Sequence, residues 1–364
     1  MIDTACANEI SIDADQAVIE RIKNAREILG EKVVILGHHY QRDQVVQFAD
    51  FRGDSFKLCE DASQVAAQYI VFAGVHFMAE SAAILGRDDQ IVILPELTAG
   101  CMMADMANLE QVQDAWNSLY SVFAPDEPEI VPITYMNSAA DLKAFVGKNG
   151  GAVCTSSNAR GILEWAFERG KRVFFFPDQH LGRNTGKAMG IPTEEMVLWN
   201  PFKENGGLSK QEIREAKIIL WHGYCGVHQK FLPKHVTMWR ETYPDINILV
   251  HPECMMEVVD QADYVGSTGY IIKSIEAAEP GSKWAIGTEY HLVNRLKTEH
   301  PDKTIELLSD DICACVTMRR ISPERLEEVL EALVDKRIIN QITVPSYVAH
   351  QAKKALDRML AIPK

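Results

Sequence analysis

The stretch VVILGHHY, residues 33–40, decides the fold, because the chain contains two more stretches like it. It is an apolar run that ends in a ring-bearing side chain, and the pattern returns in VPITYMNS at 131–138 and INILVHPE at 246–253. The rings at the equivalent places are those of His38, Tyr135 and His251. Self-similarity of this kind indicates an internal repeat in which each copy forms one structural unit.

The segments that follow each apolar run also agree. A helical stretch leads to a hydroxyl cluster, which is GDS at 53–55, TSS at 155–157 or GST at 266–268. A second helix, another apolar run, a third helix and a last strand then lead to a cysteine. These cysteines are Cys101, Cys225 and the close pair Cys313 and Cys315.

The separation along the chain from ring to cysteine supports three repeats. It is 63 residues in the first repeat, 64 in the third if Cys315 is taken, and 90 in the second. The excess falls on a polar, glycine-rich region near 185–212. We predict that this region is a surface insertion.

Apolar strands that alternate with amphipathic helices predict an α/β fold with parallel sheets, whose strands all end on one side. We expect an internal triplication, with three αβα units related by a pseudo-threefold axis on which the cysteines meet. The expected unit boundaries are 1–107, 108–230 and 231–320, and the C-terminal helices of 321–364 are expected to pack on the first unit.

Composition and charge limit the classes of function. With 364 residues, 47% hydrophobic and 24% charged, the chain has the composition of a globular protein, and no apolar run is long enough to cross a bilayer. The N-terminal residues do not resemble a signal peptide. The net charge of −14 disfavours nucleic acid and anionic membranes as partners, whereas helix N-termini can still bind small anions. We therefore expect a cytoplasmic protein that acts on small molecules.

The recurring cysteines are the strongest candidates for a metal site. A lone cysteine is more often a small buried side chain, but recurrence at one place in three repeats favours ligation. Three thiolates suit either zinc with an open fourth position or a cubane iron–sulfur cluster with one iron free of protein ligands. We prefer Cys315 to Cys313 because Cys315 keeps the spacing of the first repeat. The other cysteines are expected to be structural: Cys6, Cys59, Cys154 and Cys254.

Polar side chains at the strand ends should surround these cysteines, because ligands bind at the carboxyl ends of parallel strands. The expected set is His38, Tyr40, Ser55, Tyr135, Asn137, Ser156, His251, Glu253 and Thr268. The hydroxyls of Ser55, Ser156 and Thr268 either bind substrate oxygens or cap helices, and the sequence leaves both roles open.

Glu253 follows His251 by two residues, so both side chains lie on one side of an extended segment. A carboxylate beside an imidazole suits the removal of a proton next to a carbonyl or an imine. Tyr40 and Tyr135 are candidates to donate hydrogen bonds to a developing oxyanion. We therefore expect these four residues to be catalytic.

Taken together, the motifs resemble the quinolinate synthase family, in order from about residue 18 to 345. They are HHY at 38–40, GDS at 53–55, GCMMADMA at 100–107, TYMNSAADLK at 134–143, CTSSNA at 154–159, FFPDQHLGR at 175–183, GYCGVHQKF at 223–231, ILVHPE at 248–253, VGSTG at 265–269 and CACVTM at 313–318.

The resemblance implies a triplicated αβα fold and a [4Fe-4S] cluster held by Cys101, Cys225 and Cys315. It implies the condensation of iminosuccinate with dihydroxyacetone phosphate to quinolinate, phosphate and water in de novo NAD biosynthesis, with L-aspartate oxidase as a functional partner. The open iron of the cluster would act as a Lewis acid. The implied substrate contacts are His38, Ser55, Tyr135, Met136, Asn137, Ser156, His251, Pro252, Glu253 and Thr268.

Two alternatives come from other classes of protein. One is a different three-cysteine enzyme with an open cluster iron, either a reductive dehydroxylase or a radical S-adenosylmethionine enzyme. The other is a cluster-based redox sensor. A sensor that binds DNA usually has a basic surface, so the acidic charge of this chain disfavours that kind of sensor.

Overall fold

The computed structural model describes residues 16–123, 130–311 and 314–362. Its strands form three sheets, one from each predicted repeat. Cys6 and Cys313, the alternative third ligand, lie outside the described residues.

The first unit alternates helices and strands from its first described residue. Its elements are α1 (Gln16–Leu29), β1 (Val33–His38), α2 (Asp43–Val46), β2 (Phe51–Gly53), α3 (Ser55–Gln64), β3 (Tyr69–Ala73), α4 (His76–Leu85) and β4 (Ile91–Ile93).

The second unit follows the same plan with two extra elements. It comprises α5 (Leu109–Val122), β5 (Ile130–Tyr135), α6 (Ala140–Lys148), β6 (Ala152–Cys154), α7 (Ala159–Phe167), β7 (Arg172–Phe176), α8 (Gln179–Ala188), β8 (Met196–Trp199), α9 (Lys210–Glu215) and β9 (Ile218–Trp221).

The third unit is the shortest, and a C-terminal segment follows it. The third unit comprises α10 (Pro233–Thr242), β10 (Asn247–Val250), α11 (Met256–Val259), β11 (Tyr264–Val265), α12 (Thr268–Ala277), β12 (Lys283–Gly287), α13 (Tyr290–Glu299) and β13 (Thr304–Leu307). The C-terminal segment comprises α14 (Pro323–Val334), β14 (Gln341–Ile342) and α15 (Ser346–Ala361).

Each unit contains four equivalent strands, and these strands lie in the same spatial order in all three sheets. The orders are β2-β1-β3-β4, β6-β5-β7-β9 and β11-β10-β12-β13. Every pairing among these strands is parallel. The predicted α/β class, with parallel sheets in repeated units, is confirmed. The carboxyl ends of each sheet consequently lie along one edge, where the rings and cysteines follow.

The strands are continuous apolar runs because helices cover both faces of the sheets. All six residues of β1 and all six of β5 are buried. In the second sheet Phe174 packs near Trp116 of α5 and Trp221 of β9. Aromatic side chains of this size supply much of the buried apolar area that holds a helix on a sheet.

Two strands extend the common plan. The region near 185–212 supplies β8, which pairs in parallel with β9 at the edge of the second sheet. The predicted insertion therefore adds an edge strand as well as surface turns. In the first sheet β14 pairs with β4 in the antiparallel direction.

The two C-terminal helices contact different sets of elements. α14 packs on α1 of the first unit, whereas α15 packs on α6 and β6 of the second unit and also contacts α4 of the first. Gly147 of α6 permits this approach, because a Cβ atom there would lie 1.9 Å from the backbone oxygen of Gln351. The buried face of α15 is formed by Ala352, Ala355, Leu356 and Met359.

The helices that begin at the strand ends are capped by residues next to the predicted hydroxyls. Asp54 caps α3 by accepting the Lys57 N–H at 2.9 Å, and Ser267 caps α12. Ser55 and Thr268 are the first residues inside those helices, so their hydroxyls are not the caps. In the described part of the chain, no helix has the length and apolar content of a membrane span.

Candidate functional site

The three sheets direct their carboxyl ends into a single cavity. Nine predicted polar residues and three predicted cysteines line it: His38, Tyr40, Ser55, Tyr135, Asn137, Ser156, His251, Glu253, Thr268, Cys101, Cys225 and Cys315. The predicted contacts Met136 and Pro252 are not among the lining residues. Met136 is fully buried and its sulfur accepts the Ser81 hydroxyl at 3.4 Å, while the Pro252 carbonyl accepts Asn184 Nδ2 at 2.8 Å.

Each of the three cysteines comes from a different unit, after β4, β9 and β13. Burial raises the pKa of Cys101 to about 12 and raises the pKa values of Cys225 and Cys315 as well. Without a metal the thiols are therefore protonated at neutral pH, and metal binding must release their protons. A backbone N–H of His228 donates a hydrogen bond to Cys225, which favours its thiolate.

The spacing of the three thiols suits a cluster better than a single ion. Within the described residues, their sulfur atoms do not all lie within 4.8 Å of one another. A single zinc ion with bonds of about 2.3 Å needs its sulfur ligands closer than that. In a cubane each thiolate binds a different iron, so the thiols stand farther apart. The donor set therefore fits an iron–sulfur cluster that has one iron without a protein ligand.

The histidines at the ends of β1 and β10 are held by the same local turn. The N–H of Tyr40 donates to Nδ1 of His38 at 3.1 Å, and the N–H of Glu253 donates to Nδ1 of His251 at 3.3 Å. Burial lowers the pKa of each histidine to about 3. Both rings are therefore neutral at pH 7, with the proton on Nε2, and each offers a hydrogen-bond donor.

Glu253 is the centre of the charged contacts in the cavity. Its Oε2 lies 2.7 Å from Nδ1 of His228 and 3.9 Å from Nδ1 of His251, and its carboxylate accepts a hydrogen bond from Tyr135. Burial by itself raises the pKa of Glu253, but the two imidazoles and the Tyr135 hydroxyl lower it more strongly. The carboxyl group is therefore ionised at neutral pH, in a site that is only 3% exposed.

Two residues of this network were not assigned to the site by the sequence. His228 was expected to be structural or to support the site from behind, with an approach to the cluster left open because it lies three residues after Cys225. Thr288 carried no signal, but its Oγ1 lies 2.8 Å from the Tyr40 hydroxyl and 3.3 Å from Nε2 of His228. Thr268 donates to the same Tyr40 hydroxyl at 3.2 Å.

The tyrosines keep their protons at neutral pH, and a second buried acid has a raised pKa. Burial raises the pKa values of Tyr40 and Tyr135, so each keeps its phenolic proton as a donor. Burial, followed by repulsion from Glu253, raises the pKa of Asp178 well above that of an ordinary carboxyl group. Asp178 caps α8 behind the cavity by accepting the Leu181 N–H.

The described cavity lining contains no lysine or arginine. Its oxygen-binding groups are instead the hydroxyls of Ser55, Ser156 and Thr268, together with the N-termini of α3 and α12. Backbone N–H groups at helix N-termini bind carboxylate and phosphate oxygens. Asp54, another residue that the sequence did not assign, lines the cavity and accepts the Ser157 hydroxyl at 2.7 Å.

Comparisons with known proteins agree with this arrangement. A protein of Herpetosiphon aurantiacus named quinolinate synthase is 56% identical over 344 residues, which cover 94% of this chain and 92% of that protein. A protein of the same name from Corynebacterium glutamicum is 55% identical over 350 residues, which cover 96% of this chain and 88% of that protein. The sequence model of the family described as "Quinolinate synthetase A protein" matches residues 19–361. The chain belongs to this family.

Proposed function

We propose that the chain is a quinolinate synthase, an enzyme that condenses iminosuccinate with dihydroxyacetone phosphate to quinolinate, phosphate and water in de novo NAD biosynthesis. The observation that carries the proposal is the convergence of one thiol from each repeat on a cavity that also holds an ionised glutamate. Membership of the family over residues 19–361 supports the same reaction.

The proposed cofactor is a [4Fe-4S] cluster held by Cys101, Cys225 and Cys315. When bound, its open iron supplies a Lewis acid that can take a substrate oxygen and let hydroxide leave. The thiols need a reducing environment to remain ligands, so we place the enzyme in the cytoplasm.

The proposed substrate contacts follow from the charges of the substrates. Iminosuccinate has two carboxylates and the triose has a phosphate, and both need many hydrogen-bond donors. We assign Ser55, Ser156 and Thr268, with the helix N-termini beside them, to these oxygens. His38 and His251 donate from Nε2, and Asn137 donates from its amide. Met136 and Pro252 support the contacts through the backbone of the segments on which they lie.

The proposed proton acceptor is Glu253, with His251 beside it. The carbon next to the imine carbon of iminosuccinate must lose a proton before it can form a bond with the triose. Glu253 is ionised and buried, so its carboxylate is free to accept a proton once the substrate replaces water. Tyr40 and Tyr135 keep their protons and donate to the carbonyl oxygen of the triose as negative charge develops there. In this scheme L-aspartate oxidase supplies the iminosuccinate.

The test is the anaerobic formation of quinolinate by the iron-reconstituted protein, measured by chromatography. We expect product only when both substrates and a loaded cluster are present. The Cys225→Ser variant should form none, whereas Cys59→Ser, which changes a buried cysteine outside the cavity, should match the wild type. A fully loaded wild-type protein that forms no quinolinate, or that consumes an external electron donor, would contradict the proposal and favour the reductive alternative.

A further inference from the structure

One of the three thiols, that of Cys225, also belongs to a tighter group of metal-ligand types. In the described ranges, Cys225, His228 and Glu253 are the one set of three cysteine, histidine or acidic residues whose ligand atoms all lie within 4.8 Å of one another. His228 is 1% exposed and Glu253 is 3% exposed. The group therefore brings a thiol at the cavity wall together with a buried imidazole nitrogen and a buried carboxylate oxygen.

The donor set is one that zinc uses in catalytic sites. Zinc binds sulfur at about 2.3 Å, histidine nitrogen at about 2.0–2.1 Å and carboxylate oxygen at about 2.0–2.2 Å, and it accepts three protein ligands with a fourth position open. Such bonds place neighbouring ligand atoms roughly 3–4 Å apart. All three ligand atoms already lie within 4.8 Å of one another, and Nδ1 of His228 and Oε2 of Glu253, now 2.7 Å apart, would separate slightly around the ion. The three thiols, by contrast, do not reach this spacing.

The His228 ring is already oriented for ligation. Its Nδ1 faces Oε2 of Glu253 at 2.7 Å. Its Nε2 lies 3.3 Å from Oγ1 of Thr288. A hydrogen bond from the distal nitrogen is how proteins fix the tautomer of a metal-binding histidine. Nδ1 is therefore the nitrogen placed to bind an ion beside the Glu253 carboxylate.

We propose that Cys225, His228 and Glu253 hold a single divalent metal ion, specifically zinc, when the protein lacks its cluster. The ion and the cluster exclude each other, because both need the Cys225 thiolate. The ion also occupies Glu253, so the zinc form has no proton acceptor. The exclusion rests on the proposed function, whereas the binding itself rests only on the geometry of the three side chains.

The experiment is a titration of anaerobic, cluster-free protein with Co²⁺, whose thiolate charge-transfer absorption reports sulfur ligation. Zinc is then added to displace the cobalt. We expect the wild type to bind about one equivalent of Co²⁺ per chain and to show a thiolate absorption band. This band should be absent in Cys225→Ser. The His228→Gln and Glu253→Gln variants should each bind at least about tenfold more weakly. Cys59→Ser serves as the matched control and should bind as the wild type does.

The Cys101→Ser variant separates the two metal sites. It removes a cluster ligand but leaves the proposed zinc site whole, so it should bind cobalt within about twofold of the wild type while failing to load iron and sulfide. Conversely, His228→Gln removes a proposed zinc ligand but no cluster ligand, so this variant should still load the cluster. Cluster loading would also show that the variant folds. Zinc added before reconstitution should slow cluster formation in the wild type but not in His228→Gln.

Two results would overturn the proposal. One is the loss of cobalt binding in Cys101→Ser together with its retention in His228→Gln and Glu253→Gln, which would place the metal on the three thiols. The other is the absence of stoichiometric binding in wild-type protein. A failure of the proposed function would look different, since loaded enzyme would form no quinolinate while the cobalt titration stayed unchanged.

Discussion

After β1 in the first unit and after β10 in the third, the chain makes the same turn around a histidine. The N–H two residues later donates to Nδ1, at 3.1 Å in His38 and 3.3 Å in His251. The side chain at that later position differs, because it is Tyr40 in the first unit and Glu253 in the third. Tyr40 binds threonine hydroxyls, whereas Glu253 contacts imidazoles. The repeat thus preserves the backbone turn and varies the chemistry placed two residues beyond the ring.

The largest effect is expected at the acidic member of this pair. Glu253→Gln keeps the shape of the side chain but removes the proton acceptor, so we expect kcat to fall at least ~100-fold. The measurement is quinolinate formation at saturating substrate, with iron content determined on the same sample. Asp178→Asn is the matched control, because it makes the same change from acid to amide at a buried residue outside the cavity lining, where the amide can still cap α8. Near-normal turnover in an iron-loaded Glu253→Gln protein would remove Glu253 from the mechanism.

A smaller effect is expected at the aromatic member. Tyr40→Phe removes a hydroxyl that contacts Thr288 and Thr268 and that we assign to the carbonyl oxygen. We expect about a tenfold loss, in kcat more than in KM, because the contact strengthens as charge develops. Steady-state kinetics decide this, and a loss confined to KM would mean that Tyr40 binds the substrate without assisting the reaction.

Tyr135 of the second unit tests the difference between Tyr40 and Glu253, because its hydroxyl donates a hydrogen bond to Glu253. That hydrogen bond lowers the pKa of Glu253, so in Tyr135→Phe the pKa should rise. Activity is lost as pH falls through the pKa of the base, and the acid limb of the kcat/KM profile should therefore move to higher pH. Tyr40→Phe should leave this limb in place. Equal movement in both variants would show that the two tyrosines act on Glu253 alike.

The last effect is on stability rather than on activity, and it concerns a difference in the helix after the turn. α6 has nine residues and carries a fully buried Lys143, whereas α2 and α11 have four residues each. Burial lowers the pKa of Lys143 from 10.5 to about 8. Between these values the unfolded chain holds the proton and the folded chain does not, so the free energy of unfolding gains up to ~1.4 kcal/mol per pH unit as pH rises.

Lys143→Met removes this titration. The difference in unfolding free energy between wild type and variant should therefore shift in favour of the wild type between about pH 8 and 10.5. Urea unfolding at a series of pH values measures it. A difference that stays constant across the series would show that Lys143 titrates as an exposed lysine does.

The features that could be predicted from sequence are those that each repeat specifies by itself. The apolar runs identified β1, β5 and β10, and the spacing from ring to cysteine placed Cys101, Cys225 and Cys315 at one cavity. Local pattern is enough for these features, because the carboxyl ends of parallel strands share an edge.

The features that were missed depend on contacts between units. His228 belongs to the second unit and reaches Glu253 of the third, and Thr288 reaches across to Tyr40 of the first. The position of α15 on the second unit depends on the close approach at Gly147. No spacing within one repeat reports how two repeats pack, so these contacts needed the structure.

We propose that each of the three repeats supplies one thiol to a single cluster. The decisive measurement is iron and sulfide analysis after anaerobic reconstitution, with Cys101→Ser, Cys225→Ser and Cys315→Ser compared with Cys59→Ser. We expect about four irons and four sulfides per chain in the wild type and in Cys59→Ser, and loss of the cluster in each of the other three variants. An undiminished cluster in Cys101→Ser, Cys225→Ser or Cys315→Ser would show that the three thiols do not hold it together.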